Sequence, residues 1–230
     1  MQNDSLKIGY CLTNGLTVVR HSPLQMILGA AVVYLLNMVR WIFFYLPHGR
    51  YFAPIYQLFV ISVLIAGWWF FCLDAVRGHL VKLAVIFCGF RFYFKVLTTW
   101  ITLSLMGFVG LILLVIPGIV VMLMFNMSIL IILDSDLSPL AALKMSAKIT
   151  KGSLMKLLGL FCIWFMVGFL FWICTVEFPK MVIAIESTRV VVSTILGIIG
   201  FVLISPWTTA SLATAYDVLY KKYQSAQTMA

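Results

Sequence analysis

The chain has 230 residues, 63% hydrophobic and only 10% charged, against about 45–50% and 25% in soluble globular proteins. So few charges cannot cover so apolar a core in water, which excludes a soluble enzyme, a disordered chain, a secreted disulfide scaffold and an ordinary nucleic-acid-binding domain. Sixteen Lys and Arg oppose seven Asp and Glu, a net charge of +9; in a chain dissolved in lipid that excess reads as charge on the cytoplasmic side rather than as a footprint for nucleic acid.

The first 22 residues lack a continuous apolar core. Within 6–20, Ile8, Leu12 and Val19 share one helical face while Lys7 and Asn14 lie opposite, the pattern of an amphipathic helix in the membrane interface. The first apolar stretch is too long for a cleavable leader, so none is expected. Six stretches then reach the length that hydrocarbon demands, about 20 residues: 24–46, 53–73, 96–116, 119–133, 154–175 and 190–216. Continuous apolarity without period-2 alternation rejects a membrane β-barrel. The expected fold is all-α: one polytopic membrane domain over 1–230, with an amphipathic segment at 1–22, a six-helix bundle at 24–216 and a tail at 217–230.

Short turns alternate with long connections. Pro47-His48-Gly49-Arg50 separates the first two spans, and Pro117-Gly118 is expected to turn the chain between the third and fourth. The long segments 74–95 and 134–156 look helical. In 80–95, Leu83, Phe87, Phe90 and Phe94 repeat at the helical period. Ser138-Pro139 suits a helix start and Gly152 a helix stop. Between them Lys144, Lys148 and Lys151 form a stripe opposite Ala142, Met145 and Ile149. Threaded from a cytoplasmic N-terminus, the six spans leave twelve of the sixteen basic residues inside and three, Arg50, Lys180 and Arg189, outside, with Arg40 within the first helix. The reverse threading violates the positive-inside rule. Both termini are therefore expected in the cytoplasm. Amphipathic helix, span, turn and span then recur three times, each unit closing on an acid: Asp74, Asp134 and Asp217.

Val115-Ile116-Pro117-Gly118-Ile119, Ile132-Leu133-Asp134, Ser138-Pro139-Leu140-Ala141-Ala142-Leu143-Lys144-Met145-Ser146 and Lys151-Gly152, with Arg77-Gly78 and Phe87-Cys88-Gly89-Phe90-Arg91 upstream, resemble the YciC-like bacterial membrane proteins. That family is related to the membrane domain of glycerophosphoryl diester phosphodiesterases. The resemblance implies a six-helix protein of the bacterial cytoplasmic (inner) membrane. It does not imply the phosphodiesterase activity, whose soluble metal-bearing barrel has no counterpart in this sequence.

No catalytic function is expected. The DG-x-x-A-R pattern of alcohol phosphatidyltransferases and H-E-x-x-H are missing, and His21, His48 and His79 fall outside the spans on differing faces. Asp134-x-Asp136 is half a metal site at most. The five cysteines form no C-x-x-C pair, so neither a disulfide framework nor a cofactor or metal is expected. The expected partners are membrane lipids, anionic ones on the cytoplasmic leaflet above all, and a membrane protein or a second copy. Lys144, Lys148, Lys151, Arg91 and Lys95 are the candidate lipid- or partner-binding residues. Two boundary ion pairs are expected: Asp74 with Arg77, and Asp217 with Lys221. The alternative to a structural or regulatory membrane protein is a small-molecule or lipid transporter with a polar pathway past Asn37, Arg40, Asn126 and Pro206. Ser193 with Gly197, Ala210 with Thr214 and Ser211 with Ala215 supply small-residue faces for close helix packing on the sixth span.

Overall fold

The computed structural model describes residues 6–45, 49–79, 82–113, 115–182 and 185–228, and all regular structure among them is helical. Among the described residues, six stretches are long and apolar enough to cross a membrane: Pro23–Arg40, Tyr51–Val76, Leu83–Gly110, Gly118–Ser135, Leu154–Lys180 and Glu186–Thr228.

Helix α1 (Ile8–His21) breaks at Ser22, and Pro23 opens α2 (Pro23–Tyr45), a position that needs no amide hydrogen. Pro47 and His48 of the expected first turn lie outside the described residues. Helix α3 (Gly49–Tyr56) runs through a π-helical turn, Gln57–Ile61, into α4 (Ser62–Val76). The next connection is helical as its periodicity suggests, but Leu83–Phe92 winds as a 3₁₀ helix before α5 (Tyr93–Leu113); Leu80, at the start of the expected segment, lies outside the described residues. A close crossing accompanies the tighter winding: a Cβ on Gly67 would collide with the Ile86 carbonyl, and one on Gly89 with that of Val63.

Two expectations need correction in the fourth span. Pro117-Gly118 is not a link between two helices; both residues sit in the first turn of α6 (Val115–Phe125), where proline is tolerated. The span is also interrupted at Asn126 and Met127 before α7 (Ser128–Ser135). Hydroxyls take the carbonyls freed there. Ser128 Oγ donates to Phe125 O at 2.6 Å, and from α8 (Pro139–Thr150) Ser146 Oγ and Thr150 Oγ1 donate to Met124 O at 2.6 and 3.3 Å. Helix α8 thus returns alongside α7 and the end of α6. Pro139 occupies its first position, Ser138 precedes it without a capping bond, and Gly152 follows at φ 85°.

Helix α9 (Leu154–Trp172) continues through a second π turn, Ile173–Glu177, into α10 (Phe178–Val182). Helix α11 (Glu186–Thr228) passes Pro206 without interruption and extends beyond the expected end at 216, so the segment expected as a tail is its last turns. Its small-residue faces divide. Ala210, Ser211, Thr214 and Ala215 are buried, whereas a Cβ on Gly197 would meet nothing within 4 Å. At Gly197 this face therefore meets no neighbouring helix among the described residues.

Burial is concentrated at one end. Ile61, Leu64, Phe71, Leu73, Ile129–Ile132 and Tyr216 are fully buried there, while Phe108, Ile112, Phe165, Phe169, Ile195 and Leu203 are exposed further along the bundle. Each short helix lies against the C-terminal half of an even-numbered span: α1 on α11, the 3₁₀ helix on α4, and α8 on α7. At the first of these, Asn14 Nδ2 donates to Thr214 Oγ1 at 3.2 Å and Trp207 Nε1 to Leu12 O at 3.0 Å.

Candidate functional site

The ends of the second, fourth and sixth spans meet at Arg77. The sequence puts the residue there by ending α4: Gly78 takes φ 78°, and the Arg77, Gly78 and His79 amides close back on Leu73, Ala75 and Asp74 carbonyls at 3.0–3.1 Å. A residue with a Cβ would strain at that φ. The Arg77 guanidinium then reaches across the bundle. It grips Asp134 with two parallel bonds, Nη1 to Oδ1 at 2.5 Å and Nη2 to Oδ2 at 2.9 Å, while Nε donates to Asp217 Oδ1 at 3.2 Å. Tyr216 Oη donates to Asp134 Oδ2 at 2.9 Å, and Lys221 Nζ lies 2.6 Å from Asp217 Oδ2. Two cations and two carboxylates make the junction neutral.

Side-chain exposures of 21% for Arg77, 12% for Asp134 and 11% for Asp217 separate this junction from an ordinary surface pair. Exposed pairs contribute about 0–1 kcal/mol, whereas a bidentate, partly desolvated guanidinium–carboxylate pair is stronger and fixes geometry. The hydrogen bonds that Arg77 donates to Asp134, then the one to Asp217, hold its pKa above the ordinary value against the opposing effect of burial.

One expected boundary pair is therefore replaced. Arg77 does not serve Asp74; His79 Nδ1 lies 3.3 Å from Asp74 Oδ1 instead. Asp217 and Lys221 do approach each other, and Asp217 has Arg77 as a second partner. The sequence marked Asp134 as a boundary acid and as half of a metal site, but its oxygens face Arg77 and Tyr216. Asp136, at φ 51° just beyond α7, meets Lys95 Nζ at 2.6 Å. Lys95 is thus engaged within the chain, and the exposed Arg91 guanidinium lies 5.6 Å from the centre of the Phe92 ring. Lys144 and Lys148 are exposed on α8 and Lys151 just past its end, with Ala142 and Ile149 buried in the helix.

The intramembrane candidates do not come together around either of two cavities among the described residues. Asn126 lines one of about 680 Å³ between α5, α6 and α9, whose lining includes none of Asn37, Arg40 and Pro206. Asn37 Oδ1 is buried without a hydrogen-bond partner, and Pro206 is buried within α11. The second cavity, about 710 Å³, lies at the elbow between α1 and α2. The fold brings both His21 and His79 into its lining, with Asn14, Thr17 and Gln25. Their distance in sequence gave no sign of this. Nearby, burial pushes the Cys11 thiol up to about 11.

Comparison of the chain with protein families, curated proteins and solved structures returns no match.

Proposed function

We propose that this chain is a non-enzymatic integral protein of the bacterial cytoplasmic membrane, akin to the YciC-like proteins it resembles, with both termini in the cytoplasm. Its Arg77 end binds the anionic headgroups of the inner leaflet and presents a surface for envelope partners. The carrying observation is the division of charge at that end. The junction acids are matched by Arg77 and Lys221, whereas Lys144, Lys148 and Lys151 stand exposed on α8 and just past its end with no carboxylate paired to them among the described residues. Each Lys near an anionic surface contributes about 1 kcal/mol, less as salt rises.

Single-cysteine labelling in intact cells tests the threading. A membrane-impermeant maleimide is expected to reach His48→Cys and Lys180→Cys but not Lys148→Cys or Lys222→Cys; labelling of the last two would reverse the topology. Changing Lys144, Lys148 and Lys151 together to Gln tests the lipid contact. Hydrogen exchange of α8 should then rise in anionic membranes and stay as it was in zwitterionic ones. Equal protection of wild type and variant in anionic membranes would remove the lipid role.

A further inference from the structure

The break in the fourth span leaves one group unserved. Hydroxyls satisfy the Phe125 and Met124 carbonyls, but Asn126 Nδ2 is buried with no acceptor. A buried donor without a partner costs its full desolvation penalty, and this residue lines the apolar cavity between α5, α6 and α9. The other walls include Trp100, Leu103, Met122, Phe161 and Cys162. Trp100 Nε1 already donates to Ser62 O at 3.1 Å, so it adds no free donor. The volume of about 680 Å³ lies within the 300–1,000 Å³ typical of small-molecule sites.

Three observations identify the occupant. The chemistry calls for a hydrocarbon body with a hydrogen-bond acceptor at one end. The approach is from the side of the bundle: Met122, Phe165 and Met166, all in the cavity wall, are 49%, 74% and 56% exposed, and in a chain that crosses a bilayer that side is lipid. The depth also fits. Ser146 and Thr150 bond to Met124, so Asn126 lies level with the end of α8, close to where α9 begins at Leu154. From there the lining follows α9 from Leu158 to Met166, about 12 Å along the helix at 1.5 Å per residue. The acceptor end thus falls close to the start of the fifth span at Leu154, and the apolar end runs deeper along α9.

We propose that this cavity seats one acyl chain of a membrane phospholipid, whose ester carbonyl accepts a hydrogen bond from Asn126 Nδ2. The assignment rests on the chain being a membrane protein, and it requires no headgroup charge.

The test uses the full chain in zwitterionic phosphatidylcholine vesicles containing phosphatidylcholine with a mid-chain diazirine. After irradiation, adducts are mapped by peptide mass spectrometry. They should concentrate on Phe161–Met166 over the exposed Phe169–Trp172 stretch of the same helix. Asn126→Leu keeps the branched shape and removes the Asn126 donor, and should lower that ratio about three- to tenfold. Leu103→Trp fills the cavity from α5 and should abolish the preference with Asn126 intact, so the assignment stays testable if the first variant does not fold. An even adduct pattern along α9 in the wild type, or a preference unchanged in either folded variant, would overturn it. So would adducts displaced by cross-links to a second copy through Cys162. Loss of Lys-dependent anionic lipid binding with the adduct pattern intact would remove the headgroup role alone, whereas extraction of the chain from vesicles by carbonate would remove both.

Discussion

Arg77 holds three span ends with one side chain because its guanidinium presents donors in more than one direction. Replacing it with Met would leave Asp134 and Asp217 partly buried without the cation that both share, a loss of about 3 kcal/mol or more. Arg77→Lys keeps the charge but cannot form two parallel bonds to Asp134 while reaching Asp217, and it should restore less than half of that loss. Unfolding in mixed detergent micelles measures both variants; a midpoint unchanged by Arg77→Met would show that the junction adds no stability. The pairing of Asp217 with Lys221 was legible because four residues make one helical turn. The other was not: Arg77's carboxylates lie 57 and 140 residues away. The nearer acid, Asp74, had the right spacing, but the chain leaves the helix at Gly78 and the side chain crosses the bundle instead.

At the level of the helix, the same small-residue spacing has two outcomes. A Cβ on Gly15 of α1 would lie 2.8 Å from the Ser211 amide nitrogen, whereas one on Gly197 meets open space. Gly15→Val should therefore separate α1 from α11 and cost about 1–3 kcal/mol as an overpacked contact, while Gly197→Leu should change stability little. Thermal melts in detergent compare them; a large loss from Gly197→Leu would indicate that this face packs against another copy. Spacing alone cannot show which part of a 43-residue helix meets protein. The amphipathic face of α1 was the available sign, since it needs an apolar partner in lipid or protein. The interruption at Asn126 was hidden for a related reason. No Gly or Pro marks it, and the hydroxyls that take its carbonyls include two from α8, in a different part of the sequence.

Across the molecule, the helical class and the six apolar stretches were legible because bilayer thickness sets a length and hydrocarbon sets a composition. How tightly each half packs was not, since Leu and Phe satisfy either lipid or protein. The second, fourth and sixth spans converge on a dense core at the Arg77 end, while 165–172 and 190–203 contain many side chains open to their surroundings. In a short-chain detergent, amide exchange should rise first in 165–172 and 190–203 and last in 62–73 and 211–217. Simultaneous release of all four segments would mean that one cooperative unit spans the bundle.

The contact between α1 and α11 also sets an order in time. Thr214 follows Asn14 by 200 residues, so at about 5–20 residues per second the first helix waits roughly 10–40 s on the ribosome's schedule for its groove. Asp134 reaches Arg77 sooner, after 57 residues, and Asp217 after 140. During synthesis the guanidinium therefore waits for its carboxylates, and the amino-terminal helix docks among the last. A nascent chain that stalls before its final span leaves α1 without its main docking surface, with α2, α4 and α9 as its remaining neighbours.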